Sequence, residues 1–385
     1  MDVLIVGGGA IGSAAAYFLA RAKAAPSVVV VEPDPTYEFA ATPKASGGIR
    51  QLFSRPENIA MSKFSGEFFR NFADHVSVDG EAPDLAFKEN GYLFLVEEAG
   101  VGTLRRNWDL QRSMGVAVDL LDPAALASRF PSINVQGVAA AAYSPQDGWL
   151  DPNAVLQGFR RKARSLGVEF LKDRVAGMEC EGGCVRRVDL ASGSALRPDI
   201  VINAAGTWSA EICAMIGMQL PVEPMRRFDH FFECPTRIEP LPFIKDLAGI
   251  GFRPEGAGYC GGLVNFAEPR GHNWNVDHSY FQEVVWPALA HRFPAFETLN
   301  LRASWVGHYD RNNLDGNMIL GAWPGVADNF YVASGFSGHG LMHAPAVGRA
   351  MSELILTGAY QSLDLSRMDY RRVLDNRPYA ELGIK

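Results

Sequence analysis

The sequence predicts an α/β (α+β) chain, a parallel doubly wound sheet joined to a large antiparallel sheet. Three observations point there. The chain opens on strand, glycine turn, helix and second strand, MDVLIVGGGAIGSAAAYFLARAKAAPSVVVVEPDP. A strand-then-glycine unit returns in PDIVINAAGTWSAEI and again in NFYVASGFSGHGLM. Residues 220–310 hold strand-like runs broken by turn signals such as FRPEGAGYCGG, the pattern of an antiparallel sheet.

A length of 385 residues suits two domains or one interleaved pair. Basic residues number 36 and acidic ones 43, a net charge of −7. Such a chain is a poor match for nucleic acid or an anionic membrane, and neither is expected as a partner. No apolar run reaches the roughly 18 residues of a transmembrane helix. Met1 leads straight into a strand without a basic n-region, so no signal peptide is expected. The five cysteines are scattered and odd in number, as in a reduced, cytoplasmic protein. Cys180 and Cys184 have no other soft ligand nearby in sequence, so no metal site is expected.

Val3–Val6 reads as a buried parallel strand. Gly7, Gly9 and Gly12 follow as G-x-G-x-x-G, then a helix over 14–22, a second strand at Val28–Val31, and Glu32. The first glycine permits the turn, the second lets a pyrophosphate approach, and the third lets helix and strand pack closely. The helix N-terminus attracts phosphate, and an acid at the second strand's end bonds ribose hydroxyls. Glu32 would repel a 2′-phosphate, which argues against NADP. The motif alone leaves NAD and FAD open. The continuation decides between them: an NAD dehydrogenase would add further βαβ units, whereas here ATPKASGGIRQLFSRPENI follows. Its residues 45–49 are small enough to lie against a flat ligand, with Arg50 next. Pro56 suits a helix's first turn, and Met61, Phe64, Phe68 and Phe72 mark its core face.

GYLFLV reads as a strand and 102–114 as a helix. Asp151 and Pro152 start a helix that Gly167 ends. Ile200–Ile202 are strand, Asn203–Gly206 a turn, and a helix begins near Ser209. NFYVAS, the last strand, feeds GFSGHGLM, whose glycines leave helix N–H groups bare.

GGGAIG with Glu32, SGGIRQLFSRPENI, INAAGTWS, FRPEGAGYCGG and GFSGHGLMHAPAVGR together resemble the D-amino-acid oxidase / sarcosine oxidase (DAO) family of FAD-dependent oxidoreductases, over nearly the whole chain. Within it, GIRQLFSRPEN, LQGFRRK, PVEP, VWPALAHRFPAFETL and GFSGHGLMHAPAVGR are most similar to a mitochondrial FAD-dependent oxidoreductase subfamily of the complex I assembly type. The resemblance implies a Rossmann-like FAD-binding domain (1–76, 146–215, 311–370) interleaved with an antiparallel-sheet substrate domain (77–145, 216–310) and a tail (371–385). Gly7, Gly9, Ala10, Ile11 and Gly12 would hold the pyrophosphate, and Glu32 and Pro33 the ribose. Val175 would touch adenine. Ala204, Ala205, Gly206 and Trp208 would border the ribityl chain. Ser46, Gly47, Gly48, Ile49 and Arg50 would run beside the isoalloxazine, with Tyr309 near the ring. Gly335, Gly338, His339, Gly340, Leu341 and Met342 would meet its pyrimidine end, where a helix N-terminus stabilises the negative charge of reduced flavin.

Several positions depart from the family. Gly307 stands where sarcosine oxidases carry a flavin-linking cysteine, and KASGG has no histidine, so non-covalent FAD is expected. The carboxylate-binding cations of relatives are absent at Tyr309 and Met342. Either Arg50 or Arg253 must then take a substrate carboxylate, or the substrate is not a simple amino acid. Tyr259 stands where the sarcosine oxidases keep an oxygen-activating lysine, which implies slow reaction with O₂ and a different electron acceptor. His308 neighbours Tyr309 and could face pocket or core. The expected activity is oxidation of an amine or amino-acid C–N bond, with hydride passing to flavin N5. A flavin-bearing assembly factor for a respiratory complex and a 2-hydroxy-acid dehydrogenase are the alternatives.

Overall fold

In the computed structural model, which describes residues 1–383, the first strand runs Asp2–Val6 at the centre of a six-stranded sheet. Its order is Ile319–Trp323, Ala327–Ser334, Ile200–Asn203, Asp2–Val6, Ser27–Val31, Glu169–Leu171. All neighbours are parallel except the antiparallel edge strand Ile319–Trp323. Val3 and Ile5 face one apolar cluster while Leu4 and Val6 face another, so the strand is apolar throughout.

Helices Ala10–Ala20, Pro56–Arg70, Pro152–Ser165 and Gly340–Thr357 pack on the first face. The three-stranded sheet Val175–Glu181, Cys184–Leu190 and Ala195–Leu196 covers part of the second. Pro152 starts its helix as expected: Asp151 Oδ1 accepts from the N–H groups of Asn153 (2.8 Å) and Ala154 (3.2 Å). The helix expected at 102–114 begins earlier and runs Glu98–Ser113. The first and last helices touch backbone to backbone. A Cβ on Gly348 would come within 2.7 Å of the Ala14 carbonyl carbon.

The second sheet has eight strands, in the order Asn300–Asn312, Val222–Glu233, Gly258–Leu263, Ile250–Glu255, Phe243–Lys245, Tyr92–Val96, Ala140–Ser144, Asp119–Leu121. It is antiparallel except between Phe243–Lys245 and Tyr92–Val96. Its back face carries Leu93, Ile244 and Phe252 under Phe281, Phe293 and Phe296. Its front face, with Tyr92 and Phe243, looks toward the nucleotide-type domain.

The C-terminal segment is tied into the body. Asn317 Nδ2 donates to Tyr379 O (2.9 Å) and Asn107 Nδ2 to Leu382 O (2.8 Å). Among the described residues no helix is long and apolar enough to cross a membrane.

Replacing Gly348 by valine should force the first and last helices apart. We expect destabilisation of at least about 2 kcal/mol, read as a lower thermal midpoint. An unchanged midpoint would show that this contact is not needed.

Candidate functional site

A cavity of about 1,090 Å³ lies between the two sheets. At one end is the Gly7–Gly12 turn. Gly7 has φ +98°, and a Cβ there would meet Ala204 O at 2.6 Å. Gly12 does not reach the cavity; its Cβ would lie 1.9 Å from Gly7 O, so its role is close packing. Helix Ala10–Ala20 starts at Gly9 with no side-chain cap. Its Ala10 N–H reaches only Thr42 Oγ1, at 3.3 Å. Glu32 accepts from the N–H groups of Gly8 (2.8 Å) and Asp34 (3.0 Å), while burial raises its pKa. Pro33, Val175, Ala204, Ala205, Gly206 and Trp208 all line this end.

The GFSGHGLM turn closes the other end. Buried Asp310 pins it, accepting from the N–H groups of Gly335 (2.8 Å) and Phe336 (3.0 Å). Gly335 therefore supports the turn from behind and does not line the cavity; Ile49 likewise sits in the core. Gly338 has φ +100°, and a Cβ there would strike the Tyr309 ring at 2.6 Å. Helix Gly340–Thr357 then begins at His339 without a side-chain cap. Two uncapped helix N-termini thus open on one cavity, each an attractive place for negative charge.

Arg50 and Tyr309 both line the cavity, as do Ser46, Gly47, Gly48, His339, Leu341 and Met342. The Arg50 guanidinium is already engaged, however. It donates to Leu52 O (2.8 Å) and His339 Nε2 (3.1 Å) and lies 4.2 Å from the Phe53 ring centre. His339 Nε2 is therefore an acceptor. Burial, then the Arg50 charge, holds the ring neutral, and its Nδ1 has no partner.

Three expected residues fall elsewhere. Arg253 does not line the cavity. Its Nε donates to Ser46 O (2.6 Å) and its Nη1 pairs with Glu255, so it braces the SGG segment. Tyr259 lies on the back face, 4.8 Å from the Phe296 ring and 5.7 Å from Phe232. Side chains alternate along a strand, so a count wrong by one residue turns Tyr259 away from the cavity. His308 reaches the cavity edge, but its Nε2 accepts the Asn273 N–H (3.1 Å) and Trp274 packs edge-on at 4.3 Å. Burial lowers its pKa to about 4, and the occupied nitrogen makes it a poor base.

The front face of the eight-stranded sheet adds charged groups not singled out from the sequence, Arg227, Asp229 and Lys245. Arg227 is 6% exposed and lies 5.2 Å from the Tyr309 ring centre. Its Nε and Nη1 have no hydrogen-bond partner, and Asp229 Oδ1 stands 3.7 Å from its Nη2. Arg227 and Asp229 share one face of strand Val222–Glu233, and pairing through the two intervening strands brings Lys245 to the same face; the charges of MRRFDH were the one local signal.

Comparison with known proteins identifies this architecture. A family model described as FAD dependent oxidoreductase matches residues 2–354. The chain belongs to the DAO family of FAD-dependent oxidoreductases. It is 41% identical to FAD-dependent oxidoreductase domain-containing protein 1 of Xenopus laevis, across 100% of this chain and 84% of that protein. It is 24% identical to monomeric sarcosine oxidase of a Bacillus species, across 93% and 92%. Among solved structures, L-proline dehydrogenase from P. horikoshii superposes with a TM-score of 0.88 at 28% identity, covering 98% of this chain and 99% of that one. FAD is the DAO-family cofactor, and the residues here fit it. The two bare helix ends suit its anionic pyrophosphate and pyrimidine edge, and Glu32 lines the cavity beside the first of them. The buried Tyr37 hydroxyl and His339 Nδ1, both without protein partners, are available to polar atoms of the cofactor.

Burial also makes the fold acid-sensitive. His230 and His308 are lowered to about 4 and His343 to about 3, chiefly by burial, and His339 is lowered well below its ordinary value. The unfolded chain takes up these protons as pH falls through about 6.5, before the folded chain does, so stability is lost from there downward. Asp147 and Asp310, raised to about 6 by burial, act oppositely: they add stability as pH falls from about 6 to about 4. Burial also lowers His75 and His272 and raises Glu32, Asp229 and Asp369, so six histidines oppose five carboxylates. The thermal midpoint should peak above pH 6.5 and fall by pH 5; a midpoint flat or rising over that range would contradict this balance.

Proposed function

We propose that this chain oxidises the C–N bond of an amino acid, or of a secondary or N-methyl amine that carries a carboxylate. When bound, FAD supplies the hydride acceptor. Arg227 is the observation that carries this reading. A buried guanidinium with unmet donors is costly, and a carboxylate matches its fork. Neither Arg50 nor Arg253 is free for that task, since backbone carbonyls and His339 take up their donors. Arg227 thus supplies the carboxylate anchor expected of one of those two. Tyr309, Tyr92 and Phe243 form apolar walls around it. A flavin that served only as a scaffold would not need a buried guanidinium with two unmet donors on the facing sheet.

The FAD is held non-covalently. None of the five cysteines lines the cavity, and Gly307 lies against Lys44, whose Cβ a glycine Cβ would meet at 2.9 Å. Acid denaturation should release the yellow cofactor into solution. Slow reaction with oxygen was expected from Tyr259 at the place of the relatives' lysine; Tyr259 lies on the back face and Lys245 lines the cavity. Likeness to L-proline dehydrogenase still supports an electron acceptor other than oxygen.

Mixing the holoprotein anaerobically with D-, L- and N-methyl amino acids should bleach the flavin band with at least one of them. In Arg227→Met the apparent dissociation constant for that compound should rise about thirtyfold or more. A band intact under every compound would contradict the proposed activity. Bleaching with unchanged affinity in the variant would remove Arg227 from the site.

A further inference from the structure

The strand Phe243–Lys245 alternates, with Phe243 and Lys245 on the cavity side and Ile244 in the back cluster. Beside it, Gly251 and Gly262 are register partners on adjacent strands. A Cβ on Gly251 would meet Lys245 Nζ at 2.6 Å, and one on Gly262 would lie 3.4 Å from Asp229 Oδ1. Gly251 lines the cavity as bare floor, and Gly262 beside it lets the Phe228 carbonyl come close. Lys245 leans over this floor from one side and Asp229 from the other. The two groups do not pair: Asp229 Oδ2 takes the Ser46 hydroxyl (3.0 Å), Asp229 Oδ1 has no hydrogen bond and stands 3.7 Å from Arg227 Nη2, and among the described residues Lys245 has no ion-pair partner; burial raises the Asp229 carboxyl, which Arg227 opposes.

We infer that Lys245 removes the proton from the substrate's ammonium group before the C–N bond is oxidised, with Asp229 across the glycine floor balancing the charge it gains. This rests on the function proposed above. An amine held by its carboxylate at Arg227 arrives from water protonated, and in that state its nitrogen has no electron pair with which to form a C=N bond. The nitrogen gives a proton to the Lys245 amine: one substrate N–H bond breaks and one Lys245 N–H bond forms. The pair left on nitrogen closes the C=N bond as the α-hydrogen leaves with two electrons for FAD. Lys245 then returns the proton to water.

The surroundings suit an uncharged lysine. Burial first, then the charges of Arg227 and Arg50, lower it to about 7, and Asp229 opposes them. Tyr92 and Tyr309 are the other titratable groups on this wall. Burial raises Tyr92 to a point where it stays neutral through this range.

Two measurements test the inference. In the first, the holoprotein is treated with acetic anhydride across a pH series and acetylation of Lys245 is read by peptide mass spectrometry. Labelling should be half-maximal near pH 7, well below the surface lysines in the same digest. Half-maximal labelling above pH 9 would overturn the inference, because Lys245 would then be charged at neutral pH. In the second, the anaerobic bleaching rate is followed against pH with the amine found active. The rate should fall about tenfold per unit below pH 7. In Lys245→Met it should drop about a hundredfold or more at pH 7 and follow the substrate amine's own titration, at unchanged binding affinity. A Lys245→Met profile like that of the parent would overturn the role of Lys245 alone. Absence of bleaching by any amine would overturn the proposed function and this inference with it.

Discussion

Helix Ala10–Ala20 and helix Gly340–Thr357 come from opposite ends of the chain and pack where Gly348 meets Ala14 with no side chain between them. That contact sets the spacing of their N-termini, and so of the two electropositive ends that open on the cavity. The sheet adds its own constraint. Gly7 must pass the Ala204 carbonyl, and Asp310 must hold the N–H groups of Gly335 and Phe336, before either helix can start where it does. The cofactor site is thus fixed by backbone, through glycines and one buried carboxylate, and few side chains are needed to hold an anionic dinucleotide.

The facing wall follows a different logic. There, side chains bring the charged groups to the cavity and the backbone makes room for them. Gly251 and Gly262 leave room for Lys245 and Asp229, and Tyr309 rests in the gap left by Gly338 while it backs Arg227. Arg50 and Arg253 are cations near the same place with structural duties: one donates to His339 and adds to the burial that keeps it neutral, the other braces the SGG segment. Which arginines stay free for a ligand depends on which backbone carbonyls already claim them.

That difference explains what could be read from the sequence. The nucleotide half is local: strand, glycine turn, helix and acid follow one another, and Gly7, Gly9, Ala10, Ile11 and Glu32 line the cavity as the motif implies. The facing wall is harder to read. Arg227 and Asp229 sit two apart on one strand, but Lys245 reaches the same face only through the two strands that pair between them, and no short motif records that order. Tyr259 shows what the period of two decides, since its place on the strand turns its ring into the Phe232 and Phe296 cluster and away from the cavity. Arg253, one of two arginines open to a carboxylate in the sequence, is engaged instead by a distant carbonyl, Ser46, and a neighbour on its own strand, Glu255. The C-terminal segment was also opaque. Glu381 returns to the cavity edge and accepts from Ser54 and Asn58, contacts that span more than 300 positions.

The central claim is that two bare helix ends, one of them at the GFSGHGLM turn, create a cavity that favours an electron-rich cofactor. The reduction potential of the bound flavin, measured by spectroelectrochemical titration of the holoprotein, tests it most directly. The helix end at Gly340 should make the bound flavin easier to reduce, at a potential above that of free FAD. A potential equal to or below that of free FAD would contradict the account.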